Sequence, residues 1–259
     1  MKPFKLGHMV GMLSLLVATE GLAGDKPAAL ALCTENEESY PWLLKDRPGL
    51  TMIMMRAVEK SLGVKVEVKP LPWKRCMEEV KAGTMDGLFK ISFKPERMEI
   101  GHYPMNGDKP DASRRMLDDS YSLYRLKGGR IDWDGKAIKN ADGAVGAQSG
   151  FSVVDQLKGL GVRVDDGTRS ADENLHKLLL GRVAAVALQT QEGDASIAAK
   201  SEFATKIERM SPPLVEKPYF LMLSKAFVGK YGDFSRQIWD AVAQVRESAD
   251  YKKQVQQFK

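Results

Sequence analysis

Along the chain, short apolar runs alternate with stretches whose apolar residues recur every three or four positions. The first pattern predicts strands and the second amphipathic helices; their alternation with short connections predicts an α/β architecture with parallel strands. Ala29 to Cys33 reads as a strand. Gly49 to Leu62 reads as a helix, with Met52, Met55, Val58 and Leu62 at helical spacing and Gly63 just past the end. Val64 to Val68 alternates apolar and charged, as a half-buried strand does. Trp73 to Lys81 is a second helix, entered after Pro72 and closed at Gly83, and Asp86 to Ile91 is a third strand.

The pattern then restarts. Ala144 to Gln148 is a strand, followed by Ser149-Gly150 and a helix from Ser152 to Leu160. Ser152 with Asp155, and Ser170 with Glu173, each resemble a capping box. The second of these opens a helix carrying Leu175, Leu178 and Leu179, with Gly181 at its end, and Val183 to Leu188 is an apolar strand. Two α/β lobes fit this better than one. Ser120 to Leu126 and Pro218 to Leu223 are strand-like and bracket the second set. Taken as crossovers, they return the last helices (Phe227 to Phe258, with Phe234, Ile238, Val242 and Val245 on one face) to the first lobe. The expected division is 24–120 plus 220–259 for one lobe and 121–219 for the other, joined by a two-strand hinge beside a cleft.

Composition narrows the function classes. Of 259 residues, 43% are hydrophobic and 28% charged, an ordinary globular balance that excludes a disordered, collagen-like or coiled-coil chain. The net charge of +5 is spread thinly among 34 acidic residues, with no dense basic run, so no nucleic-acid partner is expected. The amino terminus has lysines at 2 and 5, an apolar run from Met9 to Ala18 and small residues at Gly21 and Ala23. That is the pattern of a cleaved signal peptide over residues 1–23, and the apolar run is too short to span a bilayer. The expected compartment is the periplasm. In an oxidising compartment Cys33 and Cys76 are candidates for a disulfide, two buried free thiols being the alternative. Two cysteines and three histidines are too few for a zinc cluster, His102 and His176 stand alone, and no Gly-x-Ser-x-Gly, His-Glu-x-x-His or P-loop occurs. No metal and no cofactor are expected.

Read in order, several stretches resemble a known family. They are Leu32-Cys33-Thr34-Glu35 with Tyr40-Pro41, Leu62-Gly63-Val64-Lys65-Val66-Glu67, Pro72-Trp73, and Ala82-Gly83-Thr84-Met85-Asp86-Gly87. Ser92-Phe93-Lys94-Pro95-Glu96-Arg97 follows and is the most specific; Val145-Gly146-Ala147-Gln148-Ser149-Gly150 and Leu179-Leu180-Gly181-Arg182 complete the set. Together they resemble the type II periplasmic solute-binding proteins of the polar amino-acid class, solute-binding protein family 3. The resemblance implies a two-lobed fold, each lobe a mainly parallel sheet flanked by helices.

In open α/β sheets ligands sit beyond the carboxyl ends of the strands, here Thr34-Glu35, Ser92, Ser149-Gly150 and Gln189. Arg97 lies just past one such end. The residues alone leave two readings, a surface arginine paired with Glu96 or Glu99, or a two-pronged anchor for a carboxylate. The resemblance implies the second. Ser149, Gly150 and Ser152 open a helix whose free N–H groups suit an anion, with Phe151 where the family often has a small hydroxyl residue; Ser92 is a similar, weaker candidate. Tyr40 and Trp73 match pocket positions of the family, and Trp42 is an open case. At Gln189 the family usually has an aspartate that pairs with the α-ammonium of an amino acid. Glu35 is the candidate substitute, or the ligand is not a standard α-amino acid.

The expected function is therefore a monomeric, exported protein that performs no chemistry. It would capture a small polar, carboxylate-bearing solute, an amino acid or a related compound, for an ABC-type permease. Two alternatives share the fold: a periplasmic dehydratase acting on cyclic carboxylic acids, with Glu35 as its acid or base, and a ligand-sensing or partner-binding module.

Overall fold

The computed structural model describes residues 26–258; the signal peptide expected over residues 1–23 lies outside them. The chain first forms β1 (Ala29–Glu35), α1 (Leu50–Leu62), β2 (Lys65–Leu71), α2 (Trp73–Ala82) and β3 (Gly87–Ser92). A 3-10 turn (Pro95–Glu99) and three two-residue strands, β4 (Gly101–His102), β5 (Met105–Asn106) and β6 (Lys109–Pro110), lead to the long β7 (Leu117–Leu126). A small hairpin of β8 (Asp132–Trp133) and β9 (Ile138–Lys139) precedes β10 (Val145–Gln148), α3 (Val153–Gly159), β11 (Val164–Thr168), α4 (Ala171–Leu179) and β12 (Ala185–Gln189). Next come α5 (Thr190–Ala199), α6 (Ser201–Lys206), β13 (Ile207–Arg209) and β14 (Val215–Ser224). Helices α7 (Lys225–Lys230), α8 (Gly232–Glu247) and α9 (Ala249–Gln256) close the chain.

The fold is two-lobed, and its sheet order is β11-β10-β12-β7-β14-β3-β1-β2. Strand β1 pairs in parallel with β2 and β3, and β10 pairs in parallel with β11 and β12. Two antiparallel strands join these trios. β7 pairs with β14 through Leu117–Tyr121 and with β12 through Tyr121–Tyr124. β14 pairs with β7 through Val215–Tyr219 and with β3 through Tyr219–Leu223. Each long strand thus runs from one trio to the other, and the carboxyl ends of β1, β3, β10 and β12 converge where they cross.

Local chemistry sets the ends of these elements. Gly63 closes α1 with φ +65°, a left-handed conformation that costs glycine little. Ser170 caps α4 by accepting from the Glu173 N–H, whereas Ser152 does not cap α3. Its backbone is already helical and its hydroxyl faces the cleft; Asp155 pairs with Lys94 instead. The last helices, expected over Phe227 to Phe258, are three, with the Ser248 side chain accepting from the Tyr251 N–H to start the last. Helix α8 buries Phe234, Ile238, Trp239 and Val242 in the same apolar cluster as Met54, Met55 and Val58 of α1. Each such side chain contributes about 1.5–3 kcal/mol through its removal from water. Trp239 Nε1 also donates to the Leu221 carbonyl, so the last helices lie against the first parallel trio.

Cys33 and Cys76 form a disulfide that ties the end of β1 to the first turn of α2. No helix among the described residues is long and apolar enough to cross a membrane.

Candidate functional site

The converging strand ends line a small cavity of about 30 Å³, walled by Thr34, Glu35, Trp73, Lys90, Ser92, Arg97, Ser152 and Gln189, with Ser39, Tyr121 and Tyr219 among the remaining lining residues. Six residues expected from sequence meet here: Glu35, Trp73, Ser92, Arg97, Ser152 and Gln189.

Arg97 is held by Pro95, which starts the 3-10 turn directly after β3. Its guanidinium is buried, 7% exposed, and donates to the Ser92 carbonyl (2.8 Å), to Ser92 Oγ (3.2 Å) and to the Gly150 carbonyl (3.2 Å). It lies 5.9 Å from the centroid of the Trp73 ring. Every hydrogen-bond acceptor it meets is neutral; among the described residues no carboxylate comes within ion-pairing distance. Another basic group, Lys217 on β14, lies outside the lining and donates to Ser152 Oγ (3.2 Å), with Asp155 acting on it from nearby. Burial, then the nearby Arg97 and Lys94, push the Lys217 pKa down. At Arg97 a buried cation without an anionic partner is costly, and an incoming carboxylate relieves that cost.

The opposite wall is neutral. Ser152 Oγ accepts from Ser92 Oγ at 2.9 Å, and Phe151 meets Trp73 edge-on at 6.2 Å between centroids. Gly150, with φ +78°, turns its carbonyl toward Arg97. It therefore contributes an acceptor where a backbone N–H donor was expected. The Ser149 N–H is used by the Thr168 carbonyl, and Ser149 is not part of the lining. Tyr40 also stands apart from the cavity. Its hydroxyl donates to the Phe258 carbonyl (2.8 Å) and its ring packs on Phe258. Trp42 is buried, donating Nε1 to Asp119 (3.0 Å).

Two polar atoms on the cavity wall have no partner within the protein: Trp73 Nε1 and Thr34 Oγ1. An indole N–H can only donate, so it suits a ligand acceptor. Glu35 is the carboxylate on the lining. One of its oxygens accepts the N–H groups of Asn36 (2.7 Å) and Glu37 (3.2 Å), while burial pushes its pKa up.

The largest feature that sequence reading missed is Lys90. It is 8% exposed and donates to Ser39 Oγ and to Gln189 Oε1, both at 2.6 Å. Gln189 in turn donates Nε2 to Tyr219 Oη (3.0 Å), and Ser39 Oγ also approaches Glu192 (3.3 Å). Behind this row lie two more buried acids. Glu192 accepts from Gln148 Nε2 (2.9 Å), and Asp119 accepts from Trp42 Nε1 and the Ser120 N–H. Burial raises both carboxyls, Glu192 to about 7, with Lys90 pulling each back down. Burial likewise lowers Lys90, against the pull of Asp119, Glu192 and Glu35. A signal was present: Lys90 interrupts the apolar run Leu88-Phe89-Lys90-Ile91, and a lysine inside a buried strand is rare without special partners. Ser39 and Glu192 had none, since neither sits in a patterned element end.

Among the described residues no group of three or more His, Cys, Asp or Glu side chains is placed to hold a metal ion. The cavity offers donors to an anion rather than ligands to a cation.

No family model matches the chain, and no curated protein matches it. Solved structures do. An ancestral arginine-binding protein bound to arginine matches over 90% of this chain and 98% of its own, with a TM-score of 0.73 at 20% identity. The substrate-binding protein of an amino acid ABC transporter matches over 89% and 98%, with a TM-score of 0.67 at 17% identity. An ancestral amino-acid-binding protein described as a precursor of cyclohexadienyl dehydratase matches over 89% and 95%, with a TM-score of 0.67 at 17% identity. At such identities the likeness carries the architecture alone: this chain has the two-lobed fold of the periplasmic binding proteins.

Proposed function

We propose that this protein is an exported, monomeric member of solute-binding protein family 3, working in the periplasm. In this reading it captures a small polar, carboxylate-bearing solute, an amino acid or a related compound, and presents it to an ABC-type permease. Residues 24–120 with 220–259 form one lobe, 121–219 the other, and the paired segments of β7 and β14 are the hinge. The observation that carries the reading is Arg97: a buried guanidinium on the cavity wall whose partners are all neutral. A carboxylate bound there gains two parallel charge-assisted hydrogen bonds, with Ser92 and Ser152 beside it. The likeness to binding proteins of amino acids and of an amino acid transporter supports the same class. Ligand binding favours the closed arrangement by its contacts to both walls, and closure is what a permease would read.

A thermal-shift screen of amino acids and small organic acids tests this. At least one compound is expected to raise the melting temperature in a concentration-dependent way, and silence across the carboxylates overturns the reading. One observation favours a second reading: Glu35 is a carboxyl on the cavity wall whose pKa burial raises, as a general acid requires. Release of an aromatic product from prephenate or arogenate would establish that reading instead.

A further inference from the structure

The Lys90 end of the cavity carries information about the ligand that the Arg97 end does not. Strand β3 is irregular here: Ile91 pairs with Phe220 and Phe89 with Leu221, so Lys90 is the additional residue of a bulge. Its φ is +61°, a left-handed value uncommon for a residue with a side chain. Bulges re-aim side chains beside functional sites. This one directs an ammonium into the row of Ser39 and Gln189, where it takes Ser39 Oγ and Gln189 Oε1 as acceptors. The Gln189 amide is fixed from its other side by Tyr219, so its oxygen stays with Lys90. An ammonium has three N–H donors, and two are used. The third is left for an acceptor.

We infer that the cavity is built for a carboxylate ligand with no ammonium beside its carboxyl group, and that Lys90 holds a second oxygen of that ligand, a hydroxyl, oxo or carboxylate group. The inference rests on the reading of Arg97 as the carboxylate anchor. With one carboxylate on Arg97, an α-ammonium directed toward Gln189 meets a resident cation and acceptors already engaged. Glu192 and Asp119 do not reverse this. Both lie behind the lining, each spends its oxygens on other donors, and their charge offsets Lys90 from the rear. Glu35 is the anionic acceptor on the lining, beside the unpartnered Thr34 hydroxyl, and a cation held there gives the test its opposing outcome.

Matched sets decide the matter: L-glutamate with 2-oxoglutarate and 2-hydroxyglutarate, L-alanine with pyruvate and lactate, L-phenylalanine with phenyllactate, measured by titration calorimetry. The oxo or hydroxy member of at least one set is expected to bind the wild-type protein at least tenfold more tightly than its amino member. Lys90→Met and Lys90→Gln, each checked by its melting curve, are expected to shrink that ratio at least tenfold. Tighter binding of the amino member by wild type, or a ratio unmoved by both substitutions, overturns the inference while leaving the carboxylate reading standing. Silence of every compound in every set overturns both.

Discussion

The two walls of the cavity are built differently. The wall from β1, β3 and α2 carries the charges, Arg97, Lys90 and Glu35, and its elements are tied by the Cys33–Cys76 disulfide. The wall from β10, β12 and the start of α3 offers neutral groups, Ser152, Phe151, Gln189 and the Gly150 carbonyl, with no disulfide among the described residues. Charge-assisted bonds are roughly twice as strong as neutral ones. Most of the affinity for an anion therefore belongs to the first wall. In the proposed reading the second would complete the coordination, exclude water and make occupancy visible as closure. A ligand held first by one wall and then covered by the other needs no strong charge on the cover.

The sharpest way to break this comparison is to remove the main charge. Arg97→Ala is expected to weaken carboxylate binding by two to three orders of magnitude, about 3–4 kcal/mol, in titration calorimetry. Arg97→Lys restores a point charge but not the fork, and should recover only part of that loss. Affinity unchanged in Arg97→Ala would move the anion elsewhere and dissolve the asymmetry.

The next test concerns the tie. Cys33 and Cys76 are 43 residues apart, and a disulfide closing a loop of that length contributes about 4 kcal/mol by restricting the unfolded chain. The Cys33→Ser/Cys76→Ser double variant should lose about that much in urea unfolding. Thiol titration of the denatured, unreduced wild-type protein should find no free thiol. Affinity in the double variant should fall as well, since Trp73 and Glu35 sit at the elements the bond joins.

The charged wall was more legible in the sequence than the neutral one, and for a physical reason. Arg97 follows a strand end and a proline, so both its position and its local geometry are written in neighbouring residues. The helix faces of α1 and α8 and the glycine at 63 follow from period and turn chemistry in the same way. Lys90 is different, because its direction comes from a bulge against β14, a partner more than a hundred residues away in the chain. The Ser152 hydroxyl is likewise drawn from the expected cap by Ser92 and Lys217, which come from another strand and from the hinge. Tyr40 carries an aromatic signature suited to a pocket, yet its hydroxyl reaches the far end of the chain. Short-range pattern finds element ends; long-range packing decides which side chains meet there.

A smaller effect sharpens the account of what lies behind the neutral wall. Burial raises Glu192 from 4.5 to about 7. The folded protein then holds this proton more tightly than the unfolded chain does. Its contribution to stability is complete below about pH 4.5 and is lost as the pH rises through about 7. Glu192→Gln removes that loss. Denaturant unfolding should show wild type and variant alike near pH 4, with the variant gaining up to roughly 3 kcal/mol relative to wild type by pH 8. Equal pH profiles would mean that Lys90 already compensates the carboxylate fully, and that the rear of this wall is as charged as the front of the other.

The smallest expected effect falls outside the cavity and marks its edge. Tyr40→Phe deletes one hydrogen bond, from the hydroxyl to the Phe258 carbonyl, and keeps the ring that packs on Phe258. A neutral bond of this kind contributes about 1 kcal/mol, so the variant should be less stable by that amount in urea. Its ligand affinity should stay within twofold of wild type, because the ring lines no part of the cavity. The two readouts separate a residue that anchors the C-terminal segment from one that touches the solute. A tenfold loss of affinity with stability unchanged would bring Tyr40 onto the first wall, and the charged side would then end in an aromatic platform as well as a guanidinium.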